Sequence, residues 1–276
     1  MRARLARGLT VLLVESHLWV ALAATGLTLF AQSFLGLPLA WYPAALVFAS
    51  TMLIYEVDEL FDRVRSSSAA HDGRRPWRGL VAAGLYTGVV ALYLGAAPSA
   101  VRYLVVCGAV PCLLYGAPLA VFKGIRLREL PGVKPFFVTA ALTVAAIGVP
   151  SMWVASPPSS GSIALLAMCL FGITLCNVTI FDLRDLDQDA HQSISTIPVI
   201  LGVTGTRRFC LAVCAGLLCL LVTTSSLAGS PPVIALACAV GATALYCGAL
   251  PTNSGRLTYA IAVDGVPVLL GLSILR

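Results

Sequence analysis

Apolar runs of roughly 18 to 23 residues recur along the whole chain, each close to the length a helix needs to cross ~30 Å of hydrocarbon. The runs are continuous rather than alternating. They therefore read as helices and not as barrel strands, the only other fold that satisfies its backbone polar groups inside lipid. The pattern places spans at approximately 9–30, 39–60, 80–97, 101–121, 135–154, 161–181, 208–228, 232–250 and 257–275. Pro157-Pro158 and Pro231-Pro232 punctuate turns between them. The expectation is an all-α integral membrane protein, a single domain of nine transmembrane helices over residues 1–276. The first run follows Arg2, Arg4 and Arg7 as in a signal peptide, but it is long and lacks a small-residue cleavage site, so it is read as a span.

The basic residues add a direction. Arg2, Arg4 and Arg7 precede span one; Arg63, Arg65, Arg74, Arg75 and Arg78 follow span two; Lys123, Arg126, Arg128 and Lys134 follow span four. Arg184, Arg207 and Arg208 follow span six, and Arg256 follows span eight. The alternate connections near 31–38, 155–160 and 229–231 carry none. Cytoplasmic loops are enriched in Lys and Arg, which puts the N-terminus in the cytoplasm and the C-terminus outside. Composition agrees with the bilayer as solvent: 59% of the 276 residues are hydrophobic and 11% charged. The net charge of +6 describes one face, where it attracts anionic membrane lipid or a phosphorylated substrate. Dispersal of the basic residues over separate loops, with no legible module, argues against nucleic acid.

The nine cysteines all fall within apolar runs and read as small packing residues. Cys210 and Cys214 have helical spacing, yet no histidine or carboxylate stands near them in sequence to complete a metal site.

The twelve acidic residues are distributed unevenly, and nine lie in two segments. One runs from Glu56 through Asp58, Glu59 and Asp62 to Asp72; the other holds Asp182, Asp185, Asp187 and Asp189. Both begin at the cytoplasmic end of a span. Asp58 and Asp62 are one helical turn apart, and Asp182, Asp185 and Asp189 share a face if their helix continues. Like charges stacked on one face repel, and a divalent cation offsets the repulsion. Mg²⁺ takes oxygen ligands and is typically held by one or two carboxylates plus substrate phosphates. The alternative is a pair of ordinary solvated helix ends. The recurrence of an acidic cluster four spans later hints at two halves, roughly 9–121 and 135–250, plus a ninth helix.

These residues resemble the UbiA superfamily of intramembrane prenyltransferases. The second segment is the closer match: Asp182, Asp185 and Asp189 have the spacing D-x-x-D-x-x-x-D, and Thr196, Pro198 and Gly202 continue as T-x-P-x-x-x-G. Asp58 and Asp62 fit the first motif, N-x-x-x-D-x-x-x-D, except that Ile54 stands where Asn is expected. Arg75-Pro76 looks like the R-P that follows it, and Ser16-His17-Leu18-Trp19 replaces an Arg-Pro pair in the first span. The resemblance implies nine helices around a central cavity, with Mg²⁺ held by Asp58, Asp62, Asp182, Asp185 and Asp189 as the catalytic metal-binding residues. It implies an isoprenyl diphosphate substrate and transfer of its prenyl group to a lipid or aromatic acceptor. Arg75, Lys123 and Lys134 are the cationic candidates for the diphosphate, or else topology determinants; Tyr115 followed by Lys123 looks like the family's Tyr and Lys after helix four.

Two further acids, Glu15 and Asp264, lie inside spans one and nine. An intramembrane carboxylate usually faces a cavity or a partner. These two read as a cavity acid or base, or as a polar helix contact, with His17 placed to orient Glu15. Two rival functions remain. Some members of the superfamily are terpene cyclases, which fold the cation back on its own chain without an acceptor. An ion-coupled transporter would use Glu15 and Asp264 as a relay.

Overall fold

The computed structural model describes residues 16–65, 76–117, 127–130, 132–191, 194–224 and 230–275. Among them the chain is helical and contains no strand. The elements are α1 (Leu18–Phe34), α2 (Trp41–Arg65), α3 (Pro76–Ala96), α4 (Ser99–Gly116), α5 (Val133–Trp153) and α6 (Ser160–Arg184). Then come a short α7 (Leu186–His191), α8 (Ile197–Thr223) and α9 (Pro231–Ala249). The last rod is composite: α10 (Arg256–Tyr259), a π-helical stretch (Ala260–Asp264) and α11 (Gly265–Leu272).

Six of these helices, α3, α4, α5, α6, α8 and α9, are long and apolar enough to cross a membrane, and the chain is an integral multi-pass protein. The sequence pattern pointed to nine. Of the other three, α1 is apolar but has 17 residues from Leu18 onward. Helix α2 spends its last turns on Glu56, Asp58, Glu59 and Asp62, and the final rod is interrupted by its π-helical stretch. Span seven also begins earlier than the hydropathy suggested, at Ile197, because Thr196 starts the helix and Pro198 occupies its first turn. Gly202 then kinks it at φ 67°, ψ 175°, a conformation essentially restricted to glycine.

Burial separates inner from outer helices. Two-thirds (67%) of the most apolar 18 residues of α6 are buried, against 6% of those of α3, so α6 is central and α3 faces the surroundings. Phe30 of α1, Leu166 and Ile173 of α6, Cys210 of α8 and Leu236 of α9 meet in one apolar core. Without a hydrophobic drive between helices in lipid, close approach depends on small residues. Gly26 of α1 lies directly on Pro267 and Gly271 of α11, so a side chain there would collide with backbone. Gly172 of α6 receives Leu217 of α8, whose Cδ1 would stand 2.7 Å from an added Cβ.

The π-helical stretch is held by its neighbours. Pro267 has no N–H to give the Val263 carbonyl, which accepts from a backbone N–H at the end of the stretch and from Asn177 Nδ2 of α6 at 3.3 Å. Trp19 Nε1 donates to the Ala260 carbonyl at 2.7 Å. The Tyr246 hydroxyl of α9 donates to Asn177 Oδ1, which ties three elements at one buried side chain.

Candidate active site

The first acidic cluster stands on the last turns of α2. Asp58 and Asp62 are brought onto one cation, Arg128, whose Nη1 donates to Asp58 Oδ2 at 2.7 Å while Nη2 donates to Asp62 Oδ1. Arg128 belongs to a short 3₁₀ turn (Leu127–Glu129) between α4 and α5. Burial works against its charge, but Asp58 and Asp62 outweigh it and its pKa is raised. Helix α4 closes against the same carboxylate: a Cβ on Gly116 would stand 2.5 Å from Asp58 Oδ1, so only glycine lets α4 approach this far.

The second cluster does not lie along one uninterrupted helix. Helix α6 ends at Arg184, Asp185 caps it, and α7 restarts at Leu186. The shared face expected for Asp182, Asp185 and Asp189 is therefore replaced by two buried acids and one half-buried acid. Asp182 and Asp189 are 1% and 6% exposed. Asp185 is gripped by Arg184, whose Nε and Nη2 donate at 2.7 and 2.6 Å. The Arg184 guanidinium in turn lies 5.5 Å from the Phe181 ring and 5.7 Å from the Tyr259 ring.

Lys134 serves the two buried acids. Gly132, at φ 72°, donates its N–H to the Ser195 carbonyl at 3.2 Å and so pins the start of α5 to the strap after α7. Two residues on, Lys134 Nζ lies 2.5 Å from Asp182 Oδ1. Its charge also reaches Asp189, whose carboxyl burial pushes above the usual carboxylate range against the pull of Lys134. Asp182 Oδ2 and Asp189 Oδ2 are buried with no hydrogen-bond partner among the described residues.

Tyr115 joins the two halves. Its ring stacks on Phe137 of α5, with centroids 4.6 Å apart. Its hydroxyl feels the charges of Arg128, Asp58 and Asp182 together, so the α2 and α6 clusters face a common space. Deeper in that space Tyr55 of α2 is within electrostatic reach of both Asp58 and Asp264. Asp264 is buried at the end of the π-helical stretch, within electrostatic reach of Arg184. His17 stacks on Tyr55 at 4.9 Å and lies 3.6 Å from Glu59 Oε2.

The structure thus brings together Asp58, Asp62, Tyr115, Lys134, Asp182, Asp185, Asp189 and Asp264. Glu15, Arg75 and Lys123 lie outside the described residues. Arg128 and Arg184 enter the site although the sequence marked them only as positive-inside residues; their partners are distant in sequence or hidden at a helix end.

No protein-family model and no curated protein matches this chain. Solved structures do. A UbiA homologue from Aeropyrum pernix K1 superposes with a TM-score of 0.69 at 14% identity, over 94% of this chain and 98% of that one. A UbiA homologue from Archaeoglobus fulgidus bound to GPP and Mg²⁺ gives 0.64 at 12% identity, over 94% and 98%. A digeranylgeranylglyceryl phosphate synthase gives 0.57 at 12% identity, over 99% and 98%. The chain has the fold of these UbiA homologues.

Proposed function

We propose that this chain is a Mg²⁺-dependent prenyltransferase of the UbiA type, which ionises an allylic isoprenyl diphosphate and passes the prenyl group to an acceptor within the bilayer. The observation that carries the reading is the convergence of two acidic helix ends on Tyr115, with Arg128 and Lys134 set between the carboxylates. The neighbouring fold that binds GPP and Mg²⁺ supports it.

Asp58, Asp62, Asp182, Asp185 and Asp189 offer only oxygen donors, and two of those oxygens are buried without a partner, which suits a hard divalent ion such as Mg²⁺. Bound there, the ion would neutralise diphosphate oxygens and draw off the charge of the leaving group. Arg128 and Lys134, now paired with carboxylates, are placed to pair with phosphate oxygens when the diphosphate enters. Arg75 and Lys123 are proposed to add to that cationic set. The prenyl C–O bond breaks with its electron pair going to the diphosphate, and the allylic cation forms among apolar walls that exclude water. A nucleophile on the acceptor then bonds to the cation and loses a proton. Asp264 is the proposed proton acceptor, with Glu15 its partner in the ninth and first spans.

In this reading the chain crosses the membrane nine times, with the N-terminus and both aspartate clusters cytoplasmic and the C-terminus outside. The test is incubation of purified protein with radiolabelled geranyl, farnesyl or geranylgeranyl diphosphate and Mg²⁺, with and without candidate lipid and aromatic acceptors. Pyrophosphate release with a prenylated acceptor is expected. A cyclic hydrocarbon formed without acceptor would replace transfer by cyclisation, and substrate flux into proteoliposomes with every diphosphate intact would replace both by transport.

A further inference from the structure

Behind the aspartates, three helices bring cysteines together that are far apart in sequence. Cys176 of α6, Cys210 of α8 and Cys247 of α9 have sulfurs that all lie within 4.8 Å of one another. Cys214, one turn beyond Cys210 on α8, is buried beside them but lies outside the set of sulfurs within 4.8 Å, and is the candidate fourth ligand. All four are buried, none more than 1% exposed, and all four are free thiols. We propose that these cysteines form a site for a thiophilic d¹⁰ metal ion, with Zn²⁺ the best fit.

Soft sulfur donors in a set of three or four select Zn²⁺ or Cu⁺ over the oxygen-loving Mg²⁺ of the aspartates. With Zn–S near 2.3 Å, a tetrahedral site needs sulfurs about 3.8 Å apart. Cys176, Cys210 and Cys247 need contract by no more than about 1 Å from their present spread, which rotation about Cα–Cβ supplies. A fourth donor from Cys214 would complete the tetrahedron that Zn²⁺ prefers. The Cys176 thiol donates to the Cys210 carbonyl at 3.6 Å, and an ion would replace that weak bond. Uptake releases one proton to water from each coordinating thiol, so three thiolates around Zn²⁺ carry one net negative charge.

Cys210 and Cys214 by themselves are a helix repeat with no further ligand in view; α6 and α9 deliver the rest. Cys176 lies six residues before Asp182, about 9 Å along α6. An ion at the cysteines would clamp α6, α8 and α9 behind the site without touching substrate. Cys176 and Cys247 also sit next in sequence to Asn177 and Tyr246, whose hydrogen bond supports the π-helical stretch.

The test uses the full chain in detergent, reduced and stripped with chelator, titrated with Co²⁺ as a spectroscopic probe. One ion per chain with intense near-ultraviolet sulfur-to-cobalt bands is expected, bleached when Zn²⁺ displaces it. Oxygen ligation at the aspartates cannot produce those bands. Asp182→Asn should retain them, while Cys176→Ser or Cys247→Ser should lose them. The wild-type titration decides the matter if either serine variant fails to fold. A parallel titration with Cu⁺ against a chromophoric chelator ranks the two metals. Wild-type protein that binds neither Co²⁺, Zn²⁺ nor Cu⁺ through sulfur overturns the proposal. So do bands that persist in both serine variants, or a disulfide among the four in freshly purified, metal-free protein.

Discussion

Lys134 Nζ lies 2.5 Å from Asp182 Oδ1, while the second oxygen of the same buried carboxylate has no hydrogen-bond partner among the described residues. One oxygen is neutralised and the other is left for a ligand. An Asp182→Asn variant should lower pyrophosphate release by roughly 10²-fold or more, since the amide keeps the shape but not the charge. Release measured on labelled farnesyl diphosphate checks this; a variant as active as wild type would remove Asp182 from the chemistry.

Arg128 holds Asp58 and Asp62 on the two arms of one guanidinium. Arg128→Ala leaves those acids to repel each other and removes a phosphate partner, and a loss of about 10²-fold in kcat/KM is expected. Arg128→Lys should recover little of it, because a single ammonium cannot reproduce the fork. Full activity in the lysine variant would make Arg128 a plain point charge.

Gly116 lets the end of α4 press on the Asp58 carboxylate. Gly116→Val should displace that carboxylate and destabilise the fold by about 1–3 kcal/mol through overpacking. The variant should need more Mg²⁺ for half-maximal activity than wild type, and an unchanged Mg²⁺ titration would show that Asp58 is free to move.

Asn177 satisfies both the Val263 carbonyl and the Tyr246 hydroxyl. Asn177→Leu removes the acceptor of the buried Tyr246 hydroxyl and one of two donors to the Val263 carbonyl, and should cost about 1–3 kcal/mol. Thermal unfolding in detergent measures the loss, and an unchanged midpoint would mean that the π-helical stretch finds other partners.

Chelation supplies the last prediction. Stripping with EDTA should abolish pyrophosphate release, and Mg²⁺ alone should restore it; restoration by Zn²⁺ but not Mg²⁺ would contradict an oxygen-ligated site.

Much of this was legible in the linear chain. Span length and the alternation of basic connections are local properties, and they were enough for a helical membrane protein with its acids at one end. The spacing of Asp182, Asp185 and Asp189 and the Thr196, Pro198 and Gly202 that follow were readable for the same reason. The break at Asp185 was not, because a helix that stops after Arg184 and one that continues have the same hydropathy; the contacts of Arg184 with Asp185, Phe181 and Tyr259 exist only in the folded chain.

What the chain determines by itself is which residues enter the bilayer and which stay at its surface, since that depends on each segment's own transfer free energy. Which charges meet is a different matter. Arg128 reaches Asp58 across 70 positions, and Cys176, Cys210 and Cys247 converge from three helices. Pairings of that kind depend on how glycines such as Gly26, Gly116 and Gly172 let helices approach, and only the packed bundle decides it.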